Sequence, residues 1–348
     1  MIIKPKELIY FDNATTSLKL PSFIEKLLKS YSDTSWVKKK EKYLFSLVKK
    51  LSNWLNVLAD QILLVPSSTY AINEIFNSII GNWNGQILKV YIFEGEHISN
   101  WSSLWNFKEI NKELIEIHHY SLDKEIVNNL QNEQGILLIT FRDNLGNCIW
   151  APEEISKINQ RNKELIIIGD LTQSMMNDDI SKIKEHFDYL YFSAHKVLGP
   201  FGIGCIITKK HNHLRKDDSF SLDWRSIYVW EQEFDNILRF LKKSREKSKD
   251  LVNYWVKNFP ISSGFSYIHY PNSLIFLVKV NSHSIHDFAY LLEECKFVFR
   301  FNDLCSSNSL LANKSIMRFS LSPLNKIEEI EKLFELMKYF QKTMEGLN

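Results

Sequence analysis

Apolar runs that never alternate with polar residues are what most constrains the fold of this chain. A strand with one wet face alternates apolar and polar side chains. An unbroken run needs cover on both faces, the position of a parallel strand between layers of helices. Leu165-Ile166-Ile167-Ile168 is such a run, and others occupy 86–93, 135–140, 189–192 and 204–208. Helical patterns separate them. Leu44, Leu47, Val48, Leu51, Trp54 and Leu55 recur at helical spacing, as do Ile72, Ile75, Phe76, Ile79 and Ile80. Segments 152–159 and 180–186 read as further helices. Strands alternating with helices define an α/β fold with a mostly parallel sheet flanked by helices.

From about Leu214 the pattern changes. One long helix is expected over 234–258, then a strand near 274–280, a helix near 284–294 and strands at 297–301 and 316–320. A last amphipathic helix carries Ile327, Ile330, Leu333, Phe334, Met337 and Phe340. The expected division is a large α/β domain over 15–213 and a small α+β domain made of 1–14 and 214–348. With 348 residues, 45% of them hydrophobic, the chain can bury cores of that size. A net charge of +2 gives no electrostatic reason to bind nucleic acid or a membrane surface. No apolar run reaches the ~20 residues that cross a bilayer. The first ten residues do not read as a signal peptide, so a cytoplasmic protein is expected. Cys148, Cys205, Cys295 and Cys305 lack CxxC spacing. That argues against a zinc site or a disulfide framework, and no metal is expected.

The residues with chemistry sit where the runs end. Ser193-Ala194-His195-Lys196 closes one run and leads into Gly199, Gly202 and Gly204. Burial favours the neutral, nucleophilic form of a lysine, and such an amine forms a Schiff base with an aldehyde cofactor. Asp170 closes the 165–168 run after Gly169, where a carboxylate points into the ligand crevice of a parallel sheet. Pro66-Ser67-Ser68-Thr69 follows an apolar run and opens an amphipathic helix, which offers free N–H groups to a phosphate. Each feature also has an ordinary structural explanation: an exposed lysine, or a helix cap at Asp170 and at the serines.

Taken in order, these segments resemble the aminotransferase class V and cysteine desulfurase family, which uses pyridoxal 5′-phosphate. The resemblance runs from about residue 9 to 345. It implies that Lys196 holds the cofactor, that Asp170 pairs with its ring nitrogen and that Gln173 of Asp170-Leu171-Thr172-Gln173-Ser174 contacts its phenolate oxygen. Ser68, Thr69, Ser193 and His195 would contact the phosphate. His97, in Glu96-His97-Ile98-Ser99-Asn100, would stack on the ring and shuttle protons. Asn144, in Asn144-Leu145-Gly146, would lie near the ring oxygen; the family usually has one more residue before that glycine. Arg318, in Met317-Arg318-Phe319-Ser320, would bind the substrate carboxylate, and Asn13 and Ala14 would line the substrate pocket.

Cys305 decides the reaction. It stands 13 positions before Arg318, where the desulfurases of this family carry their nucleophile, although Asn302 and Leu304 replace the usual glycine and histidine. The favoured reaction converts L-cysteine to L-alanine and leaves persulfide on Cys305, which needs an accessible thiolate. An aminotransferase or β-lyase on the same cofactor leaves Cys305 a bystander. A third reading is a degenerate scaffold or binding protein that has kept the fold. The family's glycine-rich stretch after residue 209 and its Gly-Thr near 230–236, supplied to a partner subunit's phosphate site, have no counterpart here. The resemblance nonetheless implies a homodimer, a small amino-acid substrate and a sulfur-acceptor protein.

Overall fold

A computed structural model describes residues 7–83, 87–130, 133–176, 178, 184–209, 214, 221–261, 264–281, 284–301, 304 and 316–346. A seven-stranded sheet forms the centre of the larger part. Its strands are β2 (Ile62–Val65), β3 (Leu88–Phe93), β4 (Ile115–Tyr120), β5 (Gly135–Thr140), β6 (Leu165–Asp170), β7 (Tyr189–Ser193) and β8 (Gly204–Thr208). Their order is β2-β8-β7-β6-β5-β3-β4. Pairing is parallel from β4 through β7 and antiparallel at β7–β8 and β8–β2.

The unbroken apolar runs are explained by cover on both faces. Within β5, Leu137 and Ile139 join one core while Ile136 and Leu138 join the other. The first core packs the sheet against α1 (Pro21–Ser32), α2 (Lys40–Leu55) and α6 (Pro152–Arg161) through Phe23, Leu47, Leu51, Ile155 and Ile158. The second packs it against α3 (Ser68–Gly81) and α4 (Ile98–Ile110) through Ile72, Ile75, Phe76, Trp101 and Leu104. A short helix, α5 (Glu125–Asn128), links β4 to β5.

The second part is built on a four-stranded antiparallel sheet, ordered β12 (Arg300–Phe301), β13 (Ile316–Ser320), β10 (Ile275–Val280), β9 (Phe265–His269). It packs on α8 (Arg245–Asn258), α9 (Ile285–Glu294) and α10 (Ile327–Glu345). Strand β1 (Ile9–Tyr10) pairs in parallel with β11 (Phe297–Val298); its Ile9 and the following Phe11 join this core.

Two expectations change. The long helix over 234–258 is two helices, because α7 (Trp224–Lys243) ends at Ser244 and α8 begins at Arg245. The Ser244 hydroxyl bonds back to the Phe240 and Leu241 carbonyls, the kind of local side-chain bond that competes with a continuing helix. Moreover, α7 sends Ile227, Val229, Trp230, Phe234 and Ile237 into the same core as α1 and α2. The segment from 224 to 243 therefore packs with the large sheet, whereas the sequence division put everything after 213 in the small domain.

Candidate active site

Strand order fixes where a crevice forms. From β3 the chain crosses to β4 on one side, then returns to β5 on the other, and continues outward through β6 and β7. Ligands of such sheets bind where the order reverses, beyond the carboxyl ends of the strands. A cavity of about 240 Å³ lies there. Its walls include Ser68 and Thr69 from the start of α3, His97, Asn144 after β5, Asp170 at the end of β6 with Gln173 beyond it, and Ser193 at the end of β7 with His195 and Lys196 beyond it.

Local chemistry puts each wall in place. Ser67 caps α3, its hydroxyl accepting the Tyr70 N–H at 3.1 Å. The Ser193 hydroxyl accepts the Ser68 N–H at 3.1 Å and donates to the Ser68 hydroxyl at 3.0 Å. The start of α3 is thus tied to the end of β7. Gly204 makes this possible, because a Cβ there would stand 2.7 Å from the Ser67 carbonyl carbon. Asp170 Oδ1 accepts the Thr172 N–H at 2.8 Å, and Oδ2 takes the Asn100 amide at 3.4 Å. His97 caps α4, its Nδ1 accepting the Ser99 N–H at 3.2 Å. Lys196 is half-buried, and its amine donates to the Ala14 carbonyl, which also accepts the Gln173 amide at 2.9 Å. Leu198, two residues on, has φ of 61°, an uncommon conformation for a bulky residue, and Ser17 Oγ accepts its N–H at 2.8 Å.

The charge states follow from burial. Burial, with the cations of Lys196 and Lys19 nearby, pushes His195 down to about 3, so its ring is neutral at pH 7. Burial alone pushes Lys19 down to about 7; its amine donates to the His195 carbonyl at 3.0 Å.

The remaining expected residues fall elsewhere or at the rim. Asn13 is a staple: its amide donates to the Ser320 carbonyl at 2.9 Å and its oxygen accepts the Leu18 N–H at 2.9 Å. Asn13 and Ala14 border a small adjoining cavity of about 30 Å³ that Lys196 and Gln173 also line. Asn144 gives its amide to the Leu304 carbonyl. Arg318 is 3% exposed and is not among the residues lining either cavity. Its guanidinium donates to Asp12 at 3.0 Å, to the Thr15 hydroxyl at 2.9 Å and to the Asn144 carbonyl at 3.1 Å. Cys305 and Asn302 lie outside the described residues. No helix among the described residues is long and apolar enough to cross a membrane, and no His, Cys, Asp and Glu cluster there could hold a metal.

Sequence reasoning missed Arg142, Asp143, Thr140 and Thr172, which line the same cavity. Arg142 is held by a bidentate ion pair to Asp178, at 2.8 Å for both bonds. Asp143 Oδ1 accepts the N–H groups of Leu145 at 2.9 Å and Asn147 at 2.8 Å. The available signal was Asp143 three positions before Gly146, an acid that closes a turn whose glycine has φ of 93°.

Pyridoxal 5′-phosphate can be tested against these walls. It needs an amine, an acid, and donors for a phosphate, and the cavity presents Lys196, Asp170 and the Ser68–Thr69 helix start. Three buried polar atoms on the walls, Asp143 Oδ2, Thr172 Oγ1 and His195 Nδ1, have no hydrogen-bond partner among the described residues. Buried polar atoms are ordinarily paired. A polar ligand in this cavity fits them, and the residues present fit the cofactor.

Fold and crevice together define a doubly wound α/β protein with a ligand site at the strand-order switch. The chain belongs to the aminotransferase class V family, whose model matches residues 9–216; its members are pyridoxal-phosphate enzymes. It is 31% identical over 238 residues to a putative cysteine desulfurase, PbSufS, of Plasmodium berghei. That match covers 61% of this chain and 44% of the relative, less than half of its length. A probable cysteine desulfurase of Ureaplasma parvum is 21% identical over 384 aligned positions, covering 97% of this chain and 94% of the relative. Among solved structures, a NifS-like protein superposes with a TM-score of 0.79 at 17% identity, covering 96% of this chain and all of that one. A cysteine desulfurase from Thermococcus onnurineus gives 0.78 at 16% identity, with 97% and 95% covered. These two share the fold.

Proposed function

We propose that the crevice binds pyridoxal 5′-phosphate and that the chain desulfurates L-cysteine. One observation carries this reading: Lys196, Asp170 and the start of α3 line a single cavity at the carboxyl ends of adjacent strands. When bound, the cofactor supplies an aldehyde for an amine and a ring that draws electrons from the substrate α-carbon. Lys196 is the amine that holds it and later moves the α-proton. Asp170 would pair with the ring nitrogen, Gln173 and Asn144 would contact the phenolate side, and His97 would stack on the ring. Ser68, Thr69, Ser193 and His195 hold the phosphate; the neutral state of His195 suits it to hydrogen bonding rather than to ion pairing.

In the sulfur step the Cys305 thiolate attacks the substrate sulfur. The carbon–sulfur bond breaks, the carbon takes a proton, alanine leaves and sulfur remains on Cys305 as a persulfide. The relatives named cysteine desulfurases support this reading, as does Leu304, the residue before Cys305, whose carbonyl holds the Asn144 amide at the cavity wall. Arg318 is the cation for the substrate carboxylate, and Asn13 and Ala14, which border the adjoining cavity, line the substrate pocket. The family reading extends to a homodimer in the cytoplasm that passes sulfur to an acceptor protein.

The test is incubation with pyridoxal 5′-phosphate, L-cysteine and a thiol reductant. Alanine and sulfide in equal amounts are expected, with a visible absorbance band that Lys196→Ala removes and turnover that Cys305→Ala removes. Pyruvate or another keto acid as product, or full turnover by Cys305→Ala, assigns the crevice to a lyase or an aminotransferase instead. No band at all leaves the scaffold reading standing.

A further inference from the structure

Behind Asp170, away from the crevice, lies a second carboxyl that the reading above does not use. Glu96 follows β3 and is fully buried. Its Oε2 accepts the Thr140 hydroxyl at 2.5 Å and the Asn100 amide at 2.7 Å. The other hydrogen of the same amide points at Asp170 Oδ2, 3.4 Å away. The Tyr191 hydroxyl donates to Asn100 Oδ1 at 2.9 Å. Asn100 and Tyr191 are themselves fully buried. One amide thus bridges two acids, and the turn after β3, α4, β5, β6 and β7 each contribute to the group.

Two carboxylates sharing a dry site do not both ionise cheaply. Asp170 borders the cavity and Glu96 does not, so desolvation falls harder on Glu96. Burial, with Asp170 nearby, lifts it to about 8 despite the bonds from Thr140 and Asn100. The other titratable groups facing it are the hydroxyls of Tyr120 on β4 and Tyr191 on β7, both raised well above their ordinary range by burial.

We propose that Glu96 is a positioning residue which, as a neutral acid, holds the Asn100 amide on Asp170, the acid that faces the ligand. This deepens the cofactor reading and rests on it. The arrangement keeps the proton on the inner acid and turns one hydrogen of the shared amide toward the outer one.

Four variants and two readouts test it. At pH 7 the wild type is expected to give the infrared carbonyl stretch of a protonated carboxyl, with or without cofactor, and Glu96→Gln to lose it. With pyridoxal 5′-phosphate, Glu96→Gln keeps the wild-type pH midpoint of the visible band, because Gln is neutral and of the same shape. Glu96→Leu and Asn100→Ala each move that midpoint by about one pH unit or more, the scale of a specific charge interaction. The double variant moves it no further. A Glu96→Gln midpoint displaced like that of Glu96→Leu overturns the neutral-acid role. Wild-type midpoints in both Glu96→Leu and Asn100→Ala overturn the link to Asp170. If the wild type takes up no cofactor, the crevice reading fails and takes this proposal with it; the infrared signal separates that outcome from the other two.

Discussion

Asp143 is the residue whose environment most needs explaining. It is 4% exposed, and only Oδ1 is hydrogen-bonded. Burial pushes its carboxyl up to about 6, against the pull of the Asn147 and Leu145 N–H groups and Arg142. The folded state therefore binds a proton between the ordinary value of 3.8 and about 6 that the unfolded state has already released. Stability falls as pH rises through that window, by roughly 2–3 kcal/mol in all. Asp143→Asn keeps the oxygen that closes the turn and carries no charge. Its melting temperature is expected to exceed that of the wild type at pH 8 and to match it near pH 3.5; a difference independent of pH excludes titration of Asp143 as the cause. Lys196 makes a second prediction at this scale. Pyridoxal 5′-phosphate is expected to raise the melting temperature of the wild type by linkage, about 2.7 kcal/mol at a hundredfold excess over Kd, and to do much less for Lys196→Ala, as differential scanning fluorimetry can check.

Among elements, the junction of α3, β7 and β8 positions the proposed phosphate site. Ser67→Ala removes the cap on Tyr70 and should cost about 1 kcal/mol. Gly204→Ala places a methyl group 2.7 Å from the Ser67 carbonyl carbon. The start of α3 must move, and cofactor affinity is expected to fall at least about tenfold, equivalent to about 1.4 kcal/mol. Fluorescence titration checks this, and an unchanged Kd would show that α3 does not hold the phosphate. The same elements mark how far the sequence could be read. Unbroken runs such as Leu165–Ile168 located the strands, and polar residues at their ends, Asp170 and Ser193, located the cavity. Strand β4 escaped notice because Glu116, His118 and His119 break its apolar pattern; it is an edge strand, wet on one side. The break at Ser244 was hidden because one serine does not interrupt a helical stripe. The bridge between Glu96 and Asp170 was hidden for another reason. Glu96 and Asn100 stand four apart, which suggests a shared face, but the partners on β5, β6 and β7 come from tertiary pairing.

For the whole molecule, a separate apolar cluster of Ala14, Leu145, Ile275, Leu277, Leu304 and Ile316 joins the larger part to the smaller sheet. Asp12 ties it electrostatically, with Arg318 at 3.0 Å on one oxygen and Arg300 at 3.3 Å on the other. Arg318 and Asp12 are both buried, so removing either leaves an unpaired charge. Asp12→Ala is expected to destabilise the protein by about 3–5 kcal/mol, more than Arg300→Ala, whose partly exposed pair is screened. Urea unfolding of the two variants decides between them.

The strap from Ile9 to Lys19 has a consequence for refolding. It pairs with β11, bonds to Ser320 of β13 and supplies the carbonyl of Ala14 to Lys196. The surfaces that dock it lie nearly three hundred positions further along the chain, so docking the strap is a contact of very high sequence separation with a large loop-closure entropy. Competence to take up a ligand should therefore arise late in refolding, once both sheets have formed.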